Sequence, residues 1–238
     1  MREVGGAILM AVADGVGGGP GGEIAADAAV ATLSQRFFAA SPEQPVAERL
    51  GDAIREANAA VLGAAEAASK ASAASTLVVA AIRGDQAVIA NLGDSRAYLV
   101  RDGIARQVTE DHTGAMAHGI TRFVGDPRGV QADVFVEELR PRDRLVLCSD
   151  GLTRHVTAEE IAAAIAANAR SVEACADALV ALANARGGED NVTVVLYAAR
   201  GGPANAALAL GIFIALVVLV VAGAFAVLFS VAPSPVAP

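Results

Sequence analysis

Tryptophan is absent from the 238 residues, and only two cysteines and three histidines occur. Cys148 and Cys175 are too few for a disulfide framework and are typical of a reducing compartment. The histidines stand apart from one another, and no His or Cys set has the spacing of a zinc site. The sequence therefore gives no support for a disulfide-stabilised or zinc-binding domain.

Basic residues are also scarce: 18 Lys and Arg stand against 26 Asp and Glu, which gives a net charge of −8. A protein with this balance repels the phosphate backbone, so nucleic acid is not expected as a partner. A surplus of carboxylates is instead compatible with a protein that holds cations.

Charge is missing altogether from residues 206–229, a run of 24 residues with no amide or hydroxyl either. At about 1.5 Å per residue, a helix of this length crosses a hydrocarbon core of about 30 Å. A buried core helix is the alternative, but soluble helices are rarely apolar on every face. The run predicts a transmembrane helix over residues 206–231.

Basic charge lies on one side of this predicted span only. Arg200 precedes it and no Lys or Arg follows it. The positive-inside tendency therefore predicts a single-pass protein of the cell membrane, with a cytoplasmic domain at 1–199, a linker at 200–205 and a short outer tail at 232–238.

Hydrophobic periodicity divides residues 1–199 into grouped helices and strands. Strands in hairpin runs, with helices before and after them, predict an α+β domain rather than alternating βαβ units. The predicted helices are Glu23–Ala40, Val46–Ser69, Ala158–Asn168 and Val172–Arg186. The predicted strands are residues 7–13, Thr76–Arg83, Gln86–Asn91, Arg96–Arg101, a pair formed by Val134–Glu138 and Arg144–Cys148, and a last strand at Val192–Tyr197.

Four aspartates stand at the boundaries of apolar runs: Asp14, Asp94, Asp150 and Asp190. Asp-Gly pairs are ordinary turn residues, so each alone carries little weight. Carboxylates brought together from several strand ends repel one another and stay ionised only with cations between them. Hard ions such as Mg²⁺ and Mn²⁺ prefer such oxygen ligands.

Five motifs, in this order, resemble those of bacterial PPM-type (type 2C) serine/threonine protein phosphatases. They are Val12-Ala13-Asp14-Gly15-Val16-Gly17-Gly18, Gly93-Asp94-Ser95-Arg96, Thr109-Glu110-Asp111-His112-Thr113, Ser149-Asp150-Gly151-Leu152-Thr153 and Glu189-Asp190-Asn191-Val192-Thr193. The resemblance covers about residues 7–198. It implies a four-layer α-β-β-α sandwich, in which two antiparallel sheets are flanked by antiparallel helices.

The resemblance also implies a ligand set for two Mn²⁺ or Mg²⁺ ions. Asp14 would bridge the two ions, and the backbone carbonyl of Gly15 would complete the second. Asp150 and Asp190 would hold the first ion, and Asp94 with Asp150 would form a third, weaker site. These residues are the predicted metal ligands, and the predicted catalytic residues are the three aspartates Asp14, Asp150 and Asp190.

The implied reaction is attack of a metal-activated hydroxide on phosphoserine or phosphothreonine, with no phosphoenzyme. Asn191 would orient the ligands beside it. Two kinds of partner are expected. One is proteins that a serine/threonine kinase has phosphorylated, and the other is the membrane.

The chain departs from the family pattern in two regions. The acidic pair that normally precedes the Asp14 turn has no counterpart, which predicts a chain whose first strand is missing. The segment between Thr113 and the strand near Val134 is short where relatives carry a flap, and Gly114–Gly119 is all that remains before residues 120–125. The alternative function is a catalytically impaired, phosphatase-like regulatory or binding module at the membrane.

Overall fold

The structure is a computed structural model that describes residues 1–4, 6–16, 20–68, 73–114, 119–188, 190–199 and 217–219. The helices are α1 Pro20–Ala39, α2 Val46–Ala67, α3 Asp150–Thr153, α4 Ala158–Ala167 and α5 Val172–Ala185. The strands are β1 Arg2–Val4, β2 Ala7–Val12, β3 Gly15–Val16, β4 Ala74–Ser75, β5 Leu77–Arg83, β6 Gln86–Leu92, β7 Arg96–Arg101, β8 Ile104–Gln107, β9 Asp133–Glu138, β10 Arg144–Cys148, β11 Val192–Ala198 and β12 Val217–Leu219.

Two five-stranded antiparallel sheets form the centre of the domain. The first sheet has the strand order β1-β2-β5-β6-β9, and the second has the order β12-β11-β10-β7-β8. A separate two-stranded ribbon pairs β3 with β4, with Gly15 opposite Ser75. A hairpin turn at Asp102 and Gly103 joins β7 to β8, and both residues have a positive φ.

In the central strands, alternate residues are buried in different layers, as the two-residue period of a strand requires. On β2, Leu9 packs in the cluster formed with α1 and α2, whereas Met10 packs in the cluster between the two sheets. On β10, Val146 packs with α4 and α5, whereas Leu147 lies between the sheets. The predicted four-layer α-β-β-α sandwich is confirmed.

One predicted strand pairing is wrong. Val134–Glu138 and Arg144–Cys148 are both strands, but β9 pairs with β6 in the first sheet and β10 lies between β7 and β11 in the second. Leu139 follows β9 and is buried between the sheets, where the chain crosses from one to the other. The short connection resembles a hairpin in sequence, although it changes sheets.

The N-terminal residues Arg2–Val4 form a strand antiparallel to β2, with Glu3 opposite Ile8. The first apolar strand therefore does have a preceding partner, although all three residues of β1 are exposed. The expectation that the family's first strand is missing stays a prediction.

The predicted transmembrane helix is not supported by the structure. Val217–Leu219 is a strand antiparallel to β11, so the helical prediction is wrong for these three residues. The rest of 206–231, the linker 200–205 and the tail 232–238 lie outside the described residues. In the part of the chain that is described, no helix has the length and apolar character to cross a bilayer.

Candidate functional site

The four predicted aspartates interact at one end of the sandwich. Asp14 follows β2, and Asp94 lies in the turn from β6 to β7. Asp150 begins α3 directly after β10, and Asp190 precedes β11. Because strands of both sheets end here, the fold brings together carboxylates that are up to 176 residues apart in the chain.

The electrostatics of Asp14 show how closely these groups interact. The pKa of Asp14 is raised to about 7, first by burial and then by the negative charges of Asp150, Asp190 and Asp94. The pKa of Asp94 is also raised, by burial first and then by Asp150. Like charges held close in a poorly solvated place favour protonation or a bound cation.

One basic side chain enters this cluster. Arg154, directly after α3, donates from Nη2 to Oδ2 of Asp150, one helical turn earlier, and its Nη1 lies 3.4 Å from Oδ2 of Asp190. Burial lowers the pKa of Arg154, but the charges of Asp150, Asp190 and Asp94 outweigh this effect, so that the pKa is raised.

The donor atoms of the aspartates are incompletely used. Oδ1 of Asp150 is buried and has no hydrogen-bond partner. A buried carboxylate oxygen without a donor is costly, and a cation satisfies it. Within the described ranges, however, no three acidic, His or Cys side chains form a group that could hold an ion as they stand. The four aspartates supply the carboxylate oxygens that a divalent ion prefers, but Arg154 pairs with one oxygen of Asp150 and one of Asp190.

Asp14 is held by a Ser-Thr pair that the sequence analysis missed. The Asp14 N–H donates to Oγ1 of Thr76 at 3.1 Å, and the Thr76 N–H donates to the Asp14 carbonyl at 2.8 Å. The Ser75 hydroxyl donates to the same carbonyl at 3.0 Å. Thr76 also shares a 2.7 Å hydrogen bond with the hydroxyl of Ser95, next to Asp94. These contacts couple the positions of the two carboxylates.

Ser149 joins the turns that carry the other two aspartates. Its hydroxyl donates to the Asn191 carbonyl at 3.1 Å and accepts from the Thr193 N–H at 3.0 Å. The Asn191 N–H donates to Oδ1 of Asp190 at 2.8 Å, so Asn191 does contact a predicted ligand. A Cβ on Gly151 would lie 2.4 Å from the Asn191 carbonyl oxygen, so these turns pack backbone to backbone.

His112 supports the turn that carries Asp94. Its Nδ1 accepts from the Gly93 N–H at 3.2 Å, and its Nε2 lies 2.9 Å from Oδ2 of Asp133. Because Nδ1 accepts, the proton of a neutral ring must be on Nε2, which donates to Asp133. Arg122 donates to the other oxygen of Asp133 at 2.6 Å. This network fixes the backbone at Gly93, where φ is +108°.

The structure thus brings together Asp14, Asp94, Asp150 and Asp190, and it places Gly15 in β3 directly after the first of them. Cys148 is fully buried, and burial raises its pKa to about 12, so the thiol stays protonated. The roles of four contributors were missed by sequence reasoning: Ser75, Thr76, Ser149 and Arg154. Only Arg154 carried a signal, since a basic residue four positions after Asp150 can pair with it on a helix.

Carboxylates clustered where strands of two sheets end are the ligand type found in phosphoester hydrolases that use divalent ions. The family model of protein phosphatase 2C matches residues 1–186. The chain belongs to this family and is an enzyme of the protein phosphatase class.

Individual relatives agree with this assignment. The chain is similar to the serine/threonine phosphatase Stp of Listeria innocua, with 37% identity over 210 residues that cover 79% of this chain and 83% of the relative. It is also similar to a crystal structure of the serine/threonine phosphatase PstP of Mycobacterium tuberculosis, with a TM-score of 0.72, 30% identity and coverage of 84% and 94%. A structure of the PstP catalytic domain in complex with two manganese ions matches with a TM-score of 0.71 and 32% identity, over 82% of this chain and 92% of that one.

Proposed function

We propose that this chain is a manganese-dependent serine/threonine protein phosphatase. The observation that carries the proposal is the convergence of Asp14, Asp94, Asp150 and Asp190, with a pKa of Asp14 raised to about 7. Similarity to serine/threonine phosphatases, one of them in complex with two manganese ions, supports the same reading. The substrates would be proteins phosphorylated on serine or threonine by a kinase.

The carboxylates would divide between two ions. Asp14 would bridge both, Asp150 and Asp190 would complete the first, and the carbonyl of Gly15 the second. Asp94 together with Asp150 would form a third, weaker site. The unpartnered Oδ1 of Asp150 supports this assignment, because an oxygen-liking ion would satisfy it. Mg²⁺ prefers the same ligands and is the alternative ion.

The chain's own residues fix the geometry of the reaction. Divalent ions, when bound, acidify a water that attacks phosphorus, and they neutralise the phosphoryl oxygens. Thr76 binds both the N–H and the carbonyl of Asp14 and so fixes its backbone. Ser149 keeps the Asp150 turn in contact with the Asn191 carbonyl. Such fixed placement of ligands lowers the barrier by removing reorganisation during the reaction.

The assay that tests the function uses the full chain and a phosphothreonine peptide. We expect hydrolysis that requires Mn²⁺ and is lost in Asp150→Asn and Asp190→Asn. Asp177→Asn is the matched control, because Asp177 is exposed on α5 and contributes nothing to the cluster. Absence of hydrolysis with Mn²⁺ and with Mg²⁺, or activity that survives Asp150→Asn, would exclude the mechanism.

A catalytically impaired binding module is the second candidate function. The ion pairs of Arg154 favour it, because a guanidinium can neutralise Asp150 and Asp190 with no divalent ion present. The match to Stp favours it as well, because it spans 210 aligned positions but only 79% of the 238 residues, so the chain lacks residues that the relative has within the matched region. A module of this kind would bind the phosphopeptide without hydrolysing it.

Membrane attachment rests on the sequence alone. A run of 24 residues without charge would anchor the domain 1–199 at the cytoplasmic face of the cell membrane. Fractionation of cells that produce the full chain tests this, with a chain ended after residue 205 as the comparison. Full chain that stays with membranes through an alkaline carbonate wash supports an anchor, whereas recovery in the supernatant would favour the alternative, in which β12 extends the second sheet.

A further inference from the structure

Arg154 pairs with two of the carboxylates that the proposed ions need. Its guanidinium contacts Oδ2 of Asp150 and approaches Oδ2 of Asp190 to 3.4 Å. Both residues are proposed ligands of the same ion. A divalent ion bound to these carboxylates would repel a guanidinium held on their Oδ2 atoms, so each cation weakens the binding of the other.

Arg154 is also the local counter-cation of the cluster. In the described part of the chain, the ion pairs of the site aspartates are made by Arg154 alone. Other Arg side chains near the cluster are paired elsewhere: Arg96 with Asp111 and Arg122 with Asp133. The repulsion among the carboxylates is therefore offset by one side chain.

The side chain of Arg154 has room to leave. It is 42% exposed, whereas the side chain of Asp150 is 16% exposed. Arg154 follows the single turn of α3 at the surface, and a long side chain there can rotate into solvent without disturbing the core. The carboxylate of Asp150, in contrast, is fixed on a buried turn by the Ser149 contacts.

We propose that Arg154 is an exchangeable internal counter-cation, which pairs with Asp150 and Asp190 until a divalent ion displaces it and thereby raises the metal concentration at which the site fills. The inference rests on the proposed function, because it needs these aspartates to be metal ligands. It adds a residue that sets metal affinity without itself binding the ion.

The test compares metal binding and stability in the full chain and in two variants. Arg154→Gln removes the competing charge. Arg55→Gln is the matched control, because Arg55 also pairs with an aspartate on its own helix, Asp52, but on the exposed surface of α2. Mn²⁺ affinity is measured by calorimetry, and the midpoint of thermal unfolding is measured in EDTA and in saturating Mn²⁺.

We expect Arg154→Gln to bind Mn²⁺ roughly tenfold more tightly than the parent, since the displaced pair is partly exposed and its loss has a modest effect. In EDTA the same variant should unfold at a lower temperature, because the carboxylates lose their counter-cation. In Mn²⁺ the deficit should disappear. Arg154→Lys, which keeps the charge but not the two-pronged geometry, should bind with intermediate affinity.

The outcomes separate the inference from the proposed function. If the parent binds Mn²⁺ and Arg154→Gln binds it with equal or lower affinity, the competition is refuted while the metal site stands. If Arg154→Gln is destabilised equally in EDTA and in Mn²⁺, Arg154 only stabilises the fold and the inference fails. If neither the parent nor Arg154→Gln binds Mn²⁺, the proposed function fails together with the inference.

Discussion

A methyl group added at Gly151 should push the turn that carries Asp150 away from the turn that carries Asp190. A Cβ at this position would lie 2.4 Å from the Asn191 carbonyl oxygen and 2.9 Å from its carbon. Ordinary contact begins at 3.4 Å, so Gly151→Ala requires the two turns to move apart by about 1 Å. Backbone atoms cannot rotate away as a flexible side chain could.

This displacement acts directly on the proposed ligands. Gly151 follows Asp150, and Asn191 follows Asp190, so the shift increases the separation of two carboxylates that should share an ion. Overpacking of this kind costs about 1–3 kcal/mol of unfolding free energy. A misplacement of about 1 Å at reacting groups can reduce the rate by about 10²-fold.

The assay measures kcat/KM for a phosphothreonine peptide in Mn²⁺ and the unfolding free energy in urea. Gly63→Ala is the control, because Gly63 lies in α2 and no atom stands within 4 Å of its added Cβ. Alanine is favoured over glycine inside a helix by up to about 1 kcal/mol, so the control should gain stability and keep its activity. Parental kcat/KM in Gly151→Ala would refute the argument that this backbone contact sets the ligand spacing.

Three further results are expected. In EDTA, the raised pKa of Asp14 means that the folded state retains a proton that the unfolded state releases above pH 3.8. The unfolding free energy should therefore fall as pH rises from about 4 to 7. Urea titrations at several pH values measure this slope, and Asp14→Asn should remove the part of it that Asp14 causes. His112→Ala leaves the Gly93 N–H without its acceptor and should cost about 1–3 kcal/mol in the same measurement, with weaker binding of Mn²⁺. Leu33→Ala leaves a cavity at a fully buried position of α1 and should cost about 2–5 kcal/mol of unfolding free energy, with unchanged kcat per folded molecule.

Each of these results can fail in a recognisable way. A pH slope in EDTA that is identical in Asp14→Asn would show that other groups cause it. Parental stability of His112→Ala would mean that another acceptor satisfies Gly93. A fall in kcat per folded molecule in Leu33→Ala would show that the helical layer influences the site after all.

The layers of the fold could be predicted from sequence because the longer strands are apolar runs bounded by turn residues and the longer helices are alanine-rich. Helix α2 was predicted to run two residues further than it does, since the alanine-rich end has no stop signal. The sheet assignment of β9 and β10 could not be predicted, because local pattern gives the presence of a strand and not its neighbour. The short, half-exposed β8 lacked a strand signal of its own.

The aspartates of the site were predictable because each stands where an apolar run meets a turn. The contacts that hold them were not. Thr76 lies 62 positions from Asp14, and Ser149 lies 42 positions from Asn191, so no local sequence motif could predict either contact. Arg154 is close to Asp150 in sequence, but its approach to Asp190 depends on how β10 and β11 lie side by side.

Two of the site aspartates are attached to the first sheet and two to the ends of second-sheet strands. The distance across the site is therefore fixed by the thickness of the layer between the sheets, where Met10, Ile82 and Leu147 are almost fully buried. Residues in that layer set the distance between the aspartates of the two sheets, although they do not contact the site. Substitutions in that layer therefore offer a way to tune ion spacing without altering a ligand.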